Sequence, residues 1–236
     1  MRLASLLQRS LAGCAIAASL AVSAPASATP LINTGWLAGA TGESYTIHWS
    51  GGTPAVNPAA TGGFTGTFGG TPIVYWCFDL LHTFSIGSNL DYTATQIIGA
   101  LPTQLSTLFN VASANGGYSD LDHSAAFQLA IWNLEYDGDT SLSSGSFYVT
   151  GGANAINIAN AWLALLTNPL YANPANTVTE LDSTSHPQHQ NFITFSNVPS
   201  QCCRVVPEPP MLPLVITVAG LAALVQTRRR MRVGGE

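Results

Sequence analysis

Lysine is absent from all 236 residues, and charge of either sign is scarce, with seven arginines, twelve carboxylates and charged residues at 8% of the chain. The few positive charges are also badly placed for binding anions. Between residues 29 and 205 there are ten acidic residues and one basic residue, Arg204, a net charge of −9 with neutral histidines. Such a surface repels phosphate backbones and anionic headgroups, which excludes nucleic acid as a partner of this segment. Cysteine is nearly as rare: Cys14, Cys77, Cys202 and Cys203 are all there is. Beyond residue 28 they number three, so one thiol has no disulfide partner within the chain, and a vicinal Cys202–Cys203 disulfide, a cross-link to another chain and reduced thiols all stay open. No Ser-His-Asp set, zinc-ligand spacing or phosphate loop occurs, so neither a metal nor a cofactor is expected.

What the chain does have is two distinctive ends. Arg2 and Arg9 precede an apolar stretch from Leu11 to Val22, and Ala26-Ser27-Ala28 supplies small residues at a cleavage position. This is the pattern of a secretory signal peptide over 1–28, which removes Cys14 from the mature protein. At the other end Val206-Pro207-Glu208-Pro209 leads into an apolar run from Met211 to Val225, closed by Arg228, Arg229, Arg230 and Arg232. Arginines resist crossing a bilayer because they lose hydration, so the cluster is expected to stop transfer with the preceding chain outside. The order Pro-Glu-Pro, span, basic end resembles the PEP-CTERM sorting signal of Gram-negative bacteria. The resemblance implies a sorting signal over 206–236 with a membrane segment at 211–227, an exosortase-type processing enzyme as partner, and a final location on the cell surface or in the extracellular matrix.

The segment from 29 to 205 is one domain's worth of chain. Tyr45, Ile47 and Trp49 alternate with polar residues, a half-buried strand. Residues 50–71 are rich in Gly, Thr, Pro and Ala, and either a long loop or glycine-turned hairpins fits them. The aromatic and β-branched run Ile73 to Leu80 predicts a strand covered on both faces, with Ile73, Tyr75, Cys77 and Asp79 on one side. Helical spacing follows in 103–112, in 124–136 and in 153–166. For the second helix Asp122 or Ser124 is the expected N-cap, with Phe127, Ala130, Ile131 and Leu134 as its apolar stripe. Strand patterns return at 146–150, 177–181 and 191–195. The expected fold is α+β: a β-rich, sandwich- or barrel-like domain with an inserted helical segment, flanked by the signal peptide and the sorting tail. Asp137-Gly138-Asp139-Thr140 resembles part of a calcium loop but lacks the later glutamate, and is read as a turn.

Two pieces carry potential chemistry. Tyr75-Trp76-Cys77-Phe78-Asp79 and Gln128-Leu129-Ala130-Ile131-Trp132 together resemble the paired signature of bacterial surface thioester domains. Ser146-Phe147, Ala161-Trp162-Leu163 and Gln190-Asn191-Phe192-Ile193 resemble the continuation of that group, so the likeness runs from about 73 to 195. It implies a cross-link between Cys77 and Gln128. Sulfur attacks the carboxamide, ammonia leaves, and the resulting acyl carbon is an electrophile for an external amine or hydroxyl. His82 and His123, the histidines nearest the pair in sequence, are the candidate assisting groups.

The expected role is therefore covalent, adhesin-like attachment to a surface or matrix target, a reaction made once and not an enzymatic turnover. Two other readings remain open. One is an inert structural protein of matrix or biofilm whose Cys77 is a buried free thiol. The other is a cysteine hydrolase using Cys77 and His123.

Overall fold

The computed structural model describes residues 27–39, 41–172 and 176–196. The expected signal peptide over 1–28, save its last two residues, and Cys202, Cys203, Arg204 and the expected sorting tail lie outside these residues. Among the described residues no helix is long and apolar enough to cross a membrane.

Among the described residues nine strands and three helices follow one another as β1 (Thr29–Trp36), β2 (Glu43–Trp49), β3 (Ala59–Thr61), β4 (Phe64–Phe68), β5 (Thr71–Cys77), β6 (Asn89–Gln96), α1 (Leu101–Ala114), α2 (Leu121–Tyr136), β7 (Phe147–Thr150), α3 (Ala153–Ala164), β8 (Val178–Ser183) and β9 (Phe192–Phe195). Six strands close a barrel in the order β1-β4-β5-β9-β8-β6, and β3-β2-β7 form a separate three-stranded sheet. The helices are inserted between β6 and β8, so the barrel-like α+β expectation holds for the described residues. The glycine-rich stretch divides between the two readings: residues 50–58 are loop, β3 pairs with β2, and β4 turns through Gly69-Gly70 into β5 as a hairpin.

β5 is covered on both sides because its two faces meet different partners. Tyr75 packs with Phe64 and Phe192, and Phe192 with Tyr92, so four barrel strands fill the interior with aromatic rings. Trp76, on the other face, meets Tyr118, Phe127 and Phe195. α2 is the element beneath that second face. All its residues from Ser124 to Leu134 are buried, which replaces the expected single apolar stripe with a helix enclosed on every side. Its N-cap also differs from expectation. Asp120, not Asp122 or Ser124, accepts the His123 N–H at 2.9 Å, and the helix begins a turn earlier. Gln128 consequently lies two turns inside α2, not at its start.

One register detail positions the site. β4 pairs with β5 from Phe68↔Thr71 to Phe64↔Tyr75 and then leaves, while β9 continues alongside β5 to Phe192↔Cys77. The departure is made by Gly62, at φ +145°, and Gly63, whose N–H turns to Ser124 Oγ at 2.8 Å. A side chain at 63 would place Cβ 2.7 Å from the Trp76 Nε1 atom and 2.9 Å from Cε2, inside a ring that packed neighbours hold still. Gly63→Ala should therefore lower stability by about 1–3 kcal/mol through overpacking. A thermal midpoint equal to that of the parent would contradict this account of the strand's exit.

Candidate functional site

Because β4 stops short, the Cys77 N–H and C=O on that side of β5 have no strand to pair with. The Gln128 side chain takes the vacant place. The Cys77 N–H donates to Gln128 Oε1 at 2.9 Å, and Gln128 Nε2 donates to the Cys77 carbonyl at 2.7 Å. Gln128 is wholly buried, and Cys77 is only 7% exposed. The structure thus brings together the two residues paired in the sequence reading, 51 positions apart, with the carboxamide held against the main chain of the cysteine.

The same arrangement recurs where there is no thiol. Asn57 accepts the Ile47 N–H at 2.9 Å and donates to the Ile47 carbonyl at 2.8 Å. A carboxamide replacing a missing strand is therefore a structural device in this fold. What distinguishes position 77 is the sulfur and the space in front of it.

That space is a cleft of about 190 Å³ at the mouth of the barrel. Its walls are mostly apolar, including Trp36, Phe64, Leu80, Phe84 and Trp132, while Asp79, His82 and Gln190 bring polar groups to it. Burial pushes the Cys77 thiol well above its ordinary pKa, and the negative charge of Asp79 raises it further. The sulfur accordingly stays protonated at neutral pH, and any attack must hand on that proton.

Asp79 organises the polar side of the cleft. Its Oδ1 accepts the Leu81 and His82 N–H groups at 2.8 and 2.9 Å and faces His82 Nδ1 at 3.1 Å, while Oδ2 accepts the Asn191 N–H at 2.6 Å. With Nδ1 turned to the carboxylate, the Nε2 of a neutral His82 carries the lone pair. His123 has a parallel local setting, with Nδ1 2.7 Å from Asp120 Oδ2 and its ring beside Trp162, but it does not line the cleft. Of the two candidate histidines, the fold brings only His82 to the cysteine's cleft. Asp79 and Gln190 were not singled out as site residues. The Asp-x-x-His spacing could have flagged Asp79, had it not occurred twice.

A second carboxyl group is tied to this network. Asn191 Nδ2 donates to Glu180 Oε1 at 3.3 Å and Asp182 Oδ1 at 3.0 Å, and Thr95 donates to Asp182 Oδ2 at 2.7 Å. Burial, then the charge of Asp182, pushes Glu180 up to about 7. A carboxyl whose folded pKa is raised favours the fold while protonated. Stability should therefore fall as pH rises from the ordinary glutamate range through about 7. Glu180→Gln should flatten that decline in a series of thermal midpoints between pH 5 and 8. An unchanged slope would assign the pH dependence elsewhere. The Asp137–Thr140 turn is held internally, with Asp137 accepting from Ser146 and Phe147 and Asp139 from Asn133 and Ser141.

No family model matches this chain, and no curated protein matches it. Among solved structures it is similar to the N-terminal domain of the Streptococcus pyogenes pilus tip adhesin Cpa, with 14% identity and a TM-score of 0.43 over 66% of this chain and 94% of that one. It is also similar to the N-terminal thioester domain of the fibronectin-binding protein SfbI from Streptococcus pyogenes, with 15% identity and a TM-score of 0.40 over 64% and 92% of the two chains. At this distance neither likeness decides the role of any residue here.

Proposed function

We propose that Cys77 and Gln128 form an internal thioester, and that the domain uses it once to attach covalently to an amine or hydroxyl on an extracellular target. The observation that carries this is the Gln128 carboxamide, buried and bonded to the main chain of a cysteine at the edge of a cleft. In the forming step the sulfur bonds to the Gln128 acyl carbon, the carbon–nitrogen bond breaks, and the thiol proton leaves with the nitrogen as ammonia. In the attachment step the target's nitrogen or oxygen bonds to that carbon, and Cys77 recovers a proton as thiol. His82, oriented by Asp79, is the group placed to relay protons at the cleft. Apolar walls keep bulk water from the bond. Because the chain has no lysine, copies of it offer one another no side-chain amine. Secretion by the 1–28 signal, sorting through Val206-Pro207-Glu208-Pro209 and removal of the arginine tail by an exosortase-type enzyme complete the proposal, with the mature protein at the cell surface or in the matrix.

Intact mass tests it. The purified protein should be lighter by one ammonia than its own termini require, and Cys77→Ala or Gln128→Ala should each show full mass. Methylamine should add at Gln128 and release a titratable thiol. The same spectrum shows whether Arg228 to Arg230 have been removed. A protein of full mass whose Cys77 is alkylated only after denaturation would favour the second reading, a structural matrix protein. The Asn57–Ile47 pairing supports that alternative, since it shows the same carboxamide geometry without chemistry.

A further inference from the structure

One buried donor in the cleft has no partner. Trp132 is 3% exposed, lines the cleft with Cys77, and its indole Nε1–H makes no hydrogen bond among the described residues. A buried donor left without an acceptor is costly, and a state of the protein that supplies one is favoured by that cost. Trp132 follows Gln128 by four residues on α2, which puts the two side chains on one side of the helix.

We propose that Trp132 Nε1–H is the hydrogen-bond donor to the Gln128 acyl oxygen once the thioester exists, and to the oxyanion formed there when a nucleophile adds. This rests on the thioester reading. In the amide form Oε1 is engaged by the Cys77 N–H, within the plane of the sheet. The sulfur stands off that plane, on the face of β5 that meets the cleft. Bonding to sulfur draws the acyl carbon toward the cleft, and Nε2 departs altogether. The acyl oxygen then needs a donor on the cleft side. Gln190 Nε2 is already given to the Asp79 and Asn191 carbonyls, and His82 Nδ1 faces Asp79. Trp132 is the buried donor left over.

During attachment the incoming nitrogen bonds to the acyl carbon and the carbonyl electron pair moves onto oxygen. The intermediate collapses as the carbon–sulfur bond breaks, and the amine's proton ends on Cys77. Negative charge on the oxygen is greatest between those events, where a fixed donor in a water-poor site acts most strongly. Indole does not titrate in this range, so the benefit is independent of pH.

The test replaces Trp132 in the full-length chain with benzothienylalanine, which keeps the shape and removes the N–H, and in parallel with phenylalanine. Intact mass first establishes whether wild type and variant carry the bond. With the bond present, the isosteric variant should react with methylamine roughly 100- to 1000-fold more slowly, by the same factor at each pH. In protein labelled with carbon-13 at the Gln128 carboxamide carbon, its thioester carbonyl stretch should move to higher frequency. The same replacement at Trp76, whose Nε1–H is also unpartnered but which does not line the cleft, should leave the rate unchanged. If the Trp132 isostere forms the bond, reacts at the wild-type rate and leaves the stretch unmoved, the proposal is overturned. Equal slowing from Trp76 overturns it too. A wild type of full mass removes the thioester itself, a distinct result seen before any variant is compared.

Discussion

Gln128→Leu, introduced into a Cys77→Ala background so that no thioester complicates the comparison, should destabilise the domain by about 2–6 kcal/mol. The substitution leaves the residue 77 N–H and C=O buried without partners, and each orphaned group costs about 1–3 kcal/mol. Leucine fills much of the volume, so little of the loss is a cavity. For a domain of this size the thermal midpoint should drop by roughly 5–20 °C. The background substitution alone should be mild, because it keeps the carboxamide where it is. Gln128→Glu should fall in between, since the buried acid must take up a proton, after which it accepts from the residue 77 N–H and donates to its carbonyl. If Gln128→Leu unfolds at the same denaturant concentration as its background, then water or a backbone shift replaces the carboxamide, and the geometry at Cys77 is not held as described.

Asp79→Ala should be nearly as damaging to stability and more damaging to the cleft. One carboxylate serves the N–H groups of Leu81, His82 and Asn191 and faces the His82 ring. Hydrogen bonds to a charged group contribute about 1.5–3 kcal/mol each. Partial access of solvent to the Leu81–His82 turn returns part of this, leaving a net loss of about 2–5 kcal/mol. Asp79→Asn keeps one acceptor oxygen and should lose about half as much. Amide exchange should accelerate at Leu81, His82 and Asn191 before it does so in α2, because the loss is local to the turn that follows β5 and the residue that leads into β9. Removing the charge also takes away one of the two influences that raise the Cys77 thiol. In the Gln128→Ala background Asp79→Asn should therefore speed alkylation of Cys77. Unchanged exchange at all three amides would show that Asp79 is not the organiser of this turn.

The elements legible in the sequence were those in which burial follows polarity. Tyr45, Ile47 and Trp49 marked β2, and the unbroken run through Trp76 marked β5. β1 and β6 left no such trace. β1 turns Asn33 inward to meet the Tyr75 hydroxyl, which breaks its apolar alternation, and β6 buries only Tyr92. The glycine stretch stayed undecided because its structure depends on where Trp76 sits, a contact made by distant residues. Cys77 and Gln128 were paired only through their motifs. The reason they meet, a strand that ends two residues early, is a property of registration between β4 and β5 and has no local signature. Asp79-x-x-His82 and Asp120-x-x-His123 look alike as sequence and fold alike, each histidine turned to its aspartate. Only the closed barrel tells which of them lines the cleft with Cys77.

The enclosure of α2 has a mechanical meaning. Under the proposed attachment the new bond leaves from Gln128, so a pull on the captured target would enter the domain through α2 and not through β5. That helix is packed against α1, α3 and the strands of the small sheet, and it is buried along eleven consecutive residues. Load applied there must extract the best-held element of the fold, whereas load applied at Cys77 would peel a strand end that one side chain completes. Ultimate strength would then be set by the core and not by the edge, and the site's placement on an enclosed helix would make the tether as strong as the domain.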